Sequence, residues 1–137
     1  RRYGHKLSKG EHISINVSVP TALKRVPGIG SYFARQVVRL RERLGGIAST
    51  SQLLEIENFP KEALQYIHID GSNVRRLNVN RLTLQQLKRH PYINYYQARA
   101  ITDYRRLHGE ISSIDQLGRM KEFKPADLQR LAPYLEF

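Results

Sequence analysis

The sequence predicts an all-α fold: two tandem units of short helices behind an extended N-terminal lead-in. Two observations carry this. A shift of 64 residues lays Asn16 on Asn80, Leu23-Lys24-Arg25 on Leu87-Lys88-Arg89, Pro27 on Pro91, Tyr32 on Tyr96, Ala34-Arg35 on Ala98-Arg99, Gly45 on Gly109 and Phe59 on Phe123. Self-similarity at a fixed period marks duplicated supersecondary units. Within each unit, apolar residues recur at helical spacing between proline and glycine punctuation. The expected divisions are a flexible, basic lead-in over 1–12, a first domain over 13–70 and a second over 71–137.

The elements follow in order. Ile13, Ile15, Val17 and Val19 alternate with polar residues as a strand would. A lone strand without a partner is unfavourable, so the stretch reads as an extended approach covering the first helix pair, with Leu77 and Val79 equivalent in the second unit. Ser18 is the expected N-cap of a short first helix, with Pro20 in its first turn and a stop near Pro27. A second helix spans Ser31 to Leu44. Phe33, Val37, Leu40 and Leu44 form its apolar stripe, and Gly45-Gly46 ends it. Arg35, Arg39 and Arg43 fall on another face; Arg39, Arg41 and Arg43 read as solvated helix charges. Ser49 with Gln52 has the form of a capping box for a third helix through Ile56. Glu57-Asn58-Phe59-Pro60 turns the chain into a fourth over Lys61 to Tyr66. Ile67–Arg76, containing Asp70-Gly71-Ser72-Asn73, reads as the link. The second unit repeats the pattern: Thr83–Arg89, then Tyr95–Leu107 capped by Asn94, then helices opened by Ser113 and Pro125. Tyr134 and Phe137 are expected in the core.

The charge narrows the function. The chain has 23 basic and 12 acidic residues, a formal net charge of +11. Residues 1–70 carry 11 basic and 6 acidic groups, and residues 71–137 carry 12 and 6. An excess spread over both units favours a polyanionic partner, nucleic acid or an anionic membrane surface. Without cysteine, a disulfide scaffold, thiol catalysis and thiolate metal sites are excluded. No apolar run has the length of a membrane span. The five histidines are dispersed without metal-ligand spacing, and no catalytic constellation is visible. The expectation is therefore no enzyme, no catalytic residues and no metal-ligand residues. Asp103 reads as a local ion-pair partner of Arg99 and Arg106, and Asp115 and Asp127 as helix-start carboxylates.

One turn stands out: Leu23-Lys24-Arg25-Val26-Pro27-Gly28-Ile29-Gly30-Ser31-Tyr32-Phe33-Ala34-Arg35. Glycine reaches positive φ and has no side chain to hold a ligand away, so Gly28 and Gly30 would let the backbone approach a sugar-phosphate chain. The amides of Gly30, Ser31 and Tyr32 open a helix and would donate to a phosphate oxygen, aided by the helix dipole. Ile29 would point inward and lock the helices together. Lys24, Arg25 and Arg35 would supply charge. No long basic helix is offered to the major groove, so the expected readout is of backbone and shape.

This frame resembles the helix-hairpin-helix motif of DNA-binding proteins. From Ile13 to Phe137 the chain resembles two consecutive domains of the bacterial competence DNA receptors of the ComEA family. The resemblance implies two hairpins per unit, one strong and one degenerate; the degenerate ones would be Glu57-Asn58-Phe59 and Lys121-Glu122-Phe123. It implies non-specific binding of double-stranded DNA, in DNA uptake or processing, at the bacterial envelope or its extracytoplasmic side. No cofactor is expected beyond the monovalent cation, held by turn carbonyls at the first hairpin, that the resemblance implies. The second unit departs from the pattern, with Tyr92 and Asn94 in place of the two glycines. Lys88, Arg89, Tyr92, Asn94, Tyr95, Tyr96 and Arg99, with His90, form a second candidate surface. It would either stack on exposed bases or sugars, or pack against the first unit, another domain or another protein. The alternative function is a structural or protein-interaction module that retains the fold with little DNA contact.

Overall fold

The computed structural model describes residues 5–137; residues 1–4 of the expected lead-in lie outside the described residues. The chain forms two compact units, one ending at Val74 and one from Arg75 to Phe137. The first contains β1 (Ile13–Ser14), α1 (Pro20–Leu23), α2 (Ser31–Leu44), 3₁₀ turns at Thr50–Glu55 and Lys61–Tyr66, β2 (Ile67–His68) and a 3₁₀ turn at Gly71–Asn73. The second contains β3 (Leu77–Asn78), α3 (Leu84–Lys88), α4 (Tyr95–His108), α5 (Ile114–Gly118), α6 (Pro125–Leu131), a 3₁₀ turn at Ala132–Tyr134 and β4 (Leu135–Glu136). Helices dominate both units, as the 3.6-residue pattern predicts.

The alternating stretch does find a partner. β1 pairs in parallel with β2, Ile13 opposite Ile67, and the Ile15 amide extends the ladder to the His68 carbonyl at 3.1 Å. β3 pairs in the same way with β4, Leu77 opposite Leu135. The first and last segments of each unit are thus tied together. Ile67 and His68, read from sequence as part of the link, belong to the first unit. The alternation holds only over the paired segment: Ile13 and Ile15 are buried, whereas Val17 and Val19, in the same phase, are exposed.

Other differences are local. Val19 rather than Ser18 precedes α1, and the Ser18 hydroxyl donates to the Ser14 carbonyl at 2.7 Å. The third and fourth helices of the first unit tighten into 3₁₀ turns of six residues each, longer than the three or four residues usual for that geometry. The capping box survives there: Gln52 Oε1 accepts from the amides of Ala48 and Ser49. α2 has the predicted bounds, closed by Gly45 in a left-handed conformation. Tyr134 and Leu135 are buried, but Phe137 is exposed and does not join the core.

The repeat carries two braces that hold each unit's entry segment. Asn16 Nδ2 donates to the Ile47 carbonyl at 2.9 Å, and its Oδ1 accepts from the Ile47 amide at 2.6 Å. Asn80 makes the same pair with Ile111, both bonds at 2.8 Å. Arg41 is no solvated charge. Its Nη1 donates to the carbonyls of Ile15 and Ser18 at 2.8 and 2.7 Å, and Arg105 reaches the Leu82 carbonyl at 2.5 Å. Burial pulls the Arg41 guanidinium below the usual arginine value, against the opposing effect of Glu42. Beneath these braces lie Leu23, Val26, Ala34, Val37 and Leu44 in the first unit and Leu87, Ala98, Ile101 and Leu131 in the second. Each larger member contributes about 1.5–3 kcal/mol by leaving water.

Candidate nucleic-acid interface

Four hairpin turns share one local bond. The amides of Ile29, Phe59, Ile93 and Phe123 donate to the carbonyls three residues back, at Val26, Ile56, His90 and Met120. All four donors carry buried side chains. The sequence places two hairpins in each unit, and the structure has them. Ile29 serves the turn from inside rather than facing outward.

The two glycines of the first hairpin differ. Gly28 has φ +93°, a left-handed conformation that a side chain strains, and a Cβ there would sit 3.2 Å from Pro60 Cγ. The first hairpin therefore rests against the second hairpin of its own unit. Asn58 takes the matching position in that turn with φ 65°. Gly30 has φ −99° and ψ −163°, extended backbone open to any residue. What its missing side chain provides is space: a Cβ at Gly30 meets nothing within 4 Å. Gly30 is also the N-cap of α2, and no side chain caps that helix. The first-turn amides consequently face outward uncovered, with Gly30, Ser31 and Tyr32 all exposed. Lys24 and Arg35 are exposed nearby in sequence, and Arg25 is half-buried. Free helix-start amides with cationic side chains suit a phosphate oxygen.

The second unit closes the same position. Asn94 has φ −90° and ψ 175°, nearly the Gly30 conformation. Its Oδ1 accepts from the Gln97 amide at 2.8 Å, while Gln97 Oε1 accepts from the Asn94 amide at 3.0 Å. Buried Gln97 also donates through Nε2 to the Glu122 carbonyl at 3.1 Å and to Asp127 Oδ2 at 3.3 Å. Phe33 stands where Gln97 would be in the first unit, its ring edge-on to Phe59 at 5.7 Å. Two side-chain differences thus give the amides of Asn94 and Gln97 internal partners in the second unit.

The aromatic cluster of the second unit divides. Tyr92 is buried, its ring 5.9 Å from that of Tyr134 and 3.8 Å beneath the Arg130 guanidinium. His90 is buried beside it and accepts from the Tyr92 amide through Nδ1 at 3.1 Å. Neither is available to stack on a base. Tyr95 and Tyr96 remain exposed, edge to face at 5.4 Å. Arg99 pairs with Asp103 at 3.5 Å, and Asp103 with Arg106 at 3.2 Å, as the spacing predicts. A hydrogen bond to Tyr95, then Asp103, raises the Arg99 guanidinium above its usual value. Lys88 and Arg89 are exposed.

Several carbonyls around the turn already have donors. Those of Leu23, Arg25 and Val26 accept the amides of Val26, Leu7 and Ile29, and that of Lys24 accepts the Lys6 ammonium at 2.5 Å. A side chain already supplies the positive charge there. Among the described residues no three His, Cys, Asp or Glu groups are placed to hold a metal ion. Among the described residues no helix is long and apolar enough to cross a membrane.

Two turns per unit, each clamped by a buried apolar residue between short helices, define a tandem helix-hairpin-helix protein. A family model described as "Helix-hairpin-helix motif" matches residues 8–68 and again residues 72–136, and the chain belongs to that family. Domains of this family are a non-catalytic module associated with non-specific nucleic-acid binding. Among curated proteins the chain is similar to "Endonuclease/exonuclease/phosphatase family domain-containing protein 1" of Mus musculus, 25% identical over 162 residues. The alignment covers 94% of this chain and 28% of that protein. The Homo sapiens counterpart is 24% identical over the same shares. The chain therefore spans little more than a quarter of these relatives' length. No solved structure matches it.

Proposed function

We propose that the first unit binds double-stranded DNA without sequence preference, gripping the phosphate backbone at Gly30, Ser31 and Tyr32, with charge from Lys24, Arg25 and Arg35. The observation that carries this is the uncovered start of α2 at Gly30, beside the same position closed by Asn94 in α4. The net charge of +11 supplies the long-range attraction. In this reading the second unit supports the first, and its hairpin makes no equivalent phosphate contact. Exposed Tyr95 and Tyr96 favour a second reading for that unit alone, contact with a protein partner.

The relatives' printed names put an endonuclease/exonuclease/phosphatase family domain in those proteins. A backbone-gripping pair of this kind would hold a duplex for chemistry performed by another domain. The likeness to competence receptors of the ComEA family supports DNA uptake as the setting, with an extracytoplasmic location. Titrating the isotopically labelled chain with an unrelated duplex, followed by amide NMR, tests the assignment. Shifts concentrated at Gly30–Tyr32 are expected. Shifts concentrated at Asn94–Tyr96, or none at either hairpin, would contradict it.

A further inference from the structure

The lead-in is tied to the first hairpin by three bonds and one buried side chain. Leu7 is 7% exposed, and its amide donates to the Arg25 carbonyl at 2.8 Å. Lys6 Nζ donates to the Lys24 carbonyl at 2.5 Å. The His5 carbonyl accepts from Arg25 Nε at 3.1 Å. These carbonyls lie two and three residues before Pro27, at the rim of the turn. The family match begins at residue 8, so His5, Lys6 and Leu7 lie outside it. The repeat lacks them: the corresponding residues are Ile69, Asp70 and Gly71, and Asp70 instead accepts from the Ser72 amide and hydroxyl at 3.0 and 2.8 Å.

The chemistry of each contact points the same way. With Nε held by the His5 carbonyl, the Arg25 guanidinium is fixed in plane. Its forked Nη end meets no acceptor among the described residues. That end is the part of arginine that matches a phosphate. The Lys6 ammonium spends one of its donors on the Lys24 carbonyl and keeps its charge. No carboxylate lies within ion-pair distance of Lys6, Lys24 or Arg25 among the described residues. A strap serving stability alone would have no need to gather three unpaired cations at one rim.

We infer that His5–Leu7 form a strap that completes the DNA site: Leu7 anchors it, His5 orients Arg25, and Lys6 adds a second phosphate contact on the α1 side of the hairpin. This rests on the first unit being the DNA-binding unit. Arg25 is then the contacting residue, and Leu7 and His5 are positioning residues.

The test is a double-mutant cycle on the full chain, measuring affinity for an unrelated duplex across a salt series. Arg25→Gln and Lys6→Gln should each reduce the slope of log K against log salt by about 1. Leu7→Ala removes no charge, yet it should weaken binding, and the Leu7→Ala/Arg25→Gln pair should bind no more weakly than Arg25→Gln alone. Additive losses, or wild-type binding by a folded Leu7→Ala chain, would overturn the strap. Should Leu7→Ala fail to fold, Lys6→Gln decides, and an unchanged slope overturns the inference. Gly30→Asn run alongside separates the two failures. If it binds normally, the hairpin reading itself falls; if it loses binding while the strap variants keep theirs, only the strap falls.

Discussion

Gly28 and Gly30 stand two residues apart and serve different ends. Gly28 is demanded by the fold, because its φ of +93° and its contact with Pro60 both reject a side chain. Gly28→Ala should cost about 1–2 kcal/mol of stability by denaturant unfolding, through left-handed strain. Gly30 is demanded by nothing internal, which makes its bareness a property of the surface. The braces are a different matter. Asn80→Ala leaves the Ile111 amide and carbonyl without their side-chain partners, and should cost about 1–3 kcal/mol while leaving DNA affinity unchanged. Residue pairing across the repeat was legible for Asn16 and Asn80, but their bonds were not. Arg41 was misread for a related reason: an arginine at helical spacing looks the same whether solvated or clamped to a distant carbonyl.

At the scale of elements, α2 and α4 are the same helix with opposite ends to their story. Both have fourteen residues, both follow a hairpin, and both begin from extended backbone. α4 closes its first turn with Asn94 and Gln97, whereas α2 leaves its first turn to solvent. Asn94→Ala should therefore destabilise the second unit by about 1 kcal/mol in thermal or chemical unfolding. Duplex affinity should not fall, because in this account the second hairpin makes no phosphate contact that the substitution could remove. The helices were legible because apolar stripes and glycine stops are local signals. The strand pairs were not, since β1 and β2 are two residues each and meet only after most of the unit has intervened. The fate of Tyr92 was likewise hidden, because it depends on Tyr134 and Arg130 from the C-terminal segment. Leu7 gave no signal at all, being a single apolar residue in a polar run.

Duplication gave the molecule two copies of one scaffold with one copy open. Charge alone does not explain that division, since the two halves are almost equally basic. Local geometry differs: the start of α2 carries no capping side chain, and the matching position in α4 is capped by Asn94. Backbone recognition predicts that duplexes of unrelated sequence bind with equal affinity, and that affinity falls steeply with salt. A strong preference for one sequence in a competition assay would contradict that mode. The most direct measurement transplants the closed hairpin's cap into the open one. Gly30→Asn places a capping side chain over the α2 amides at a φ that Asn94 already adopts, with nothing within 4 Å of the new Cβ. Helix content and unfolding midpoint should hold or rise slightly, as an N-cap Asn is a few tenths of a kcal/mol better than Gly. Duplex affinity should fall about tenfold or more, the worth of charge-assisted bonds to a phosphate. A folded Gly30→Asn chain that binds DNA as tightly as the parent would contradict the claim that the first hairpin holds the backbone.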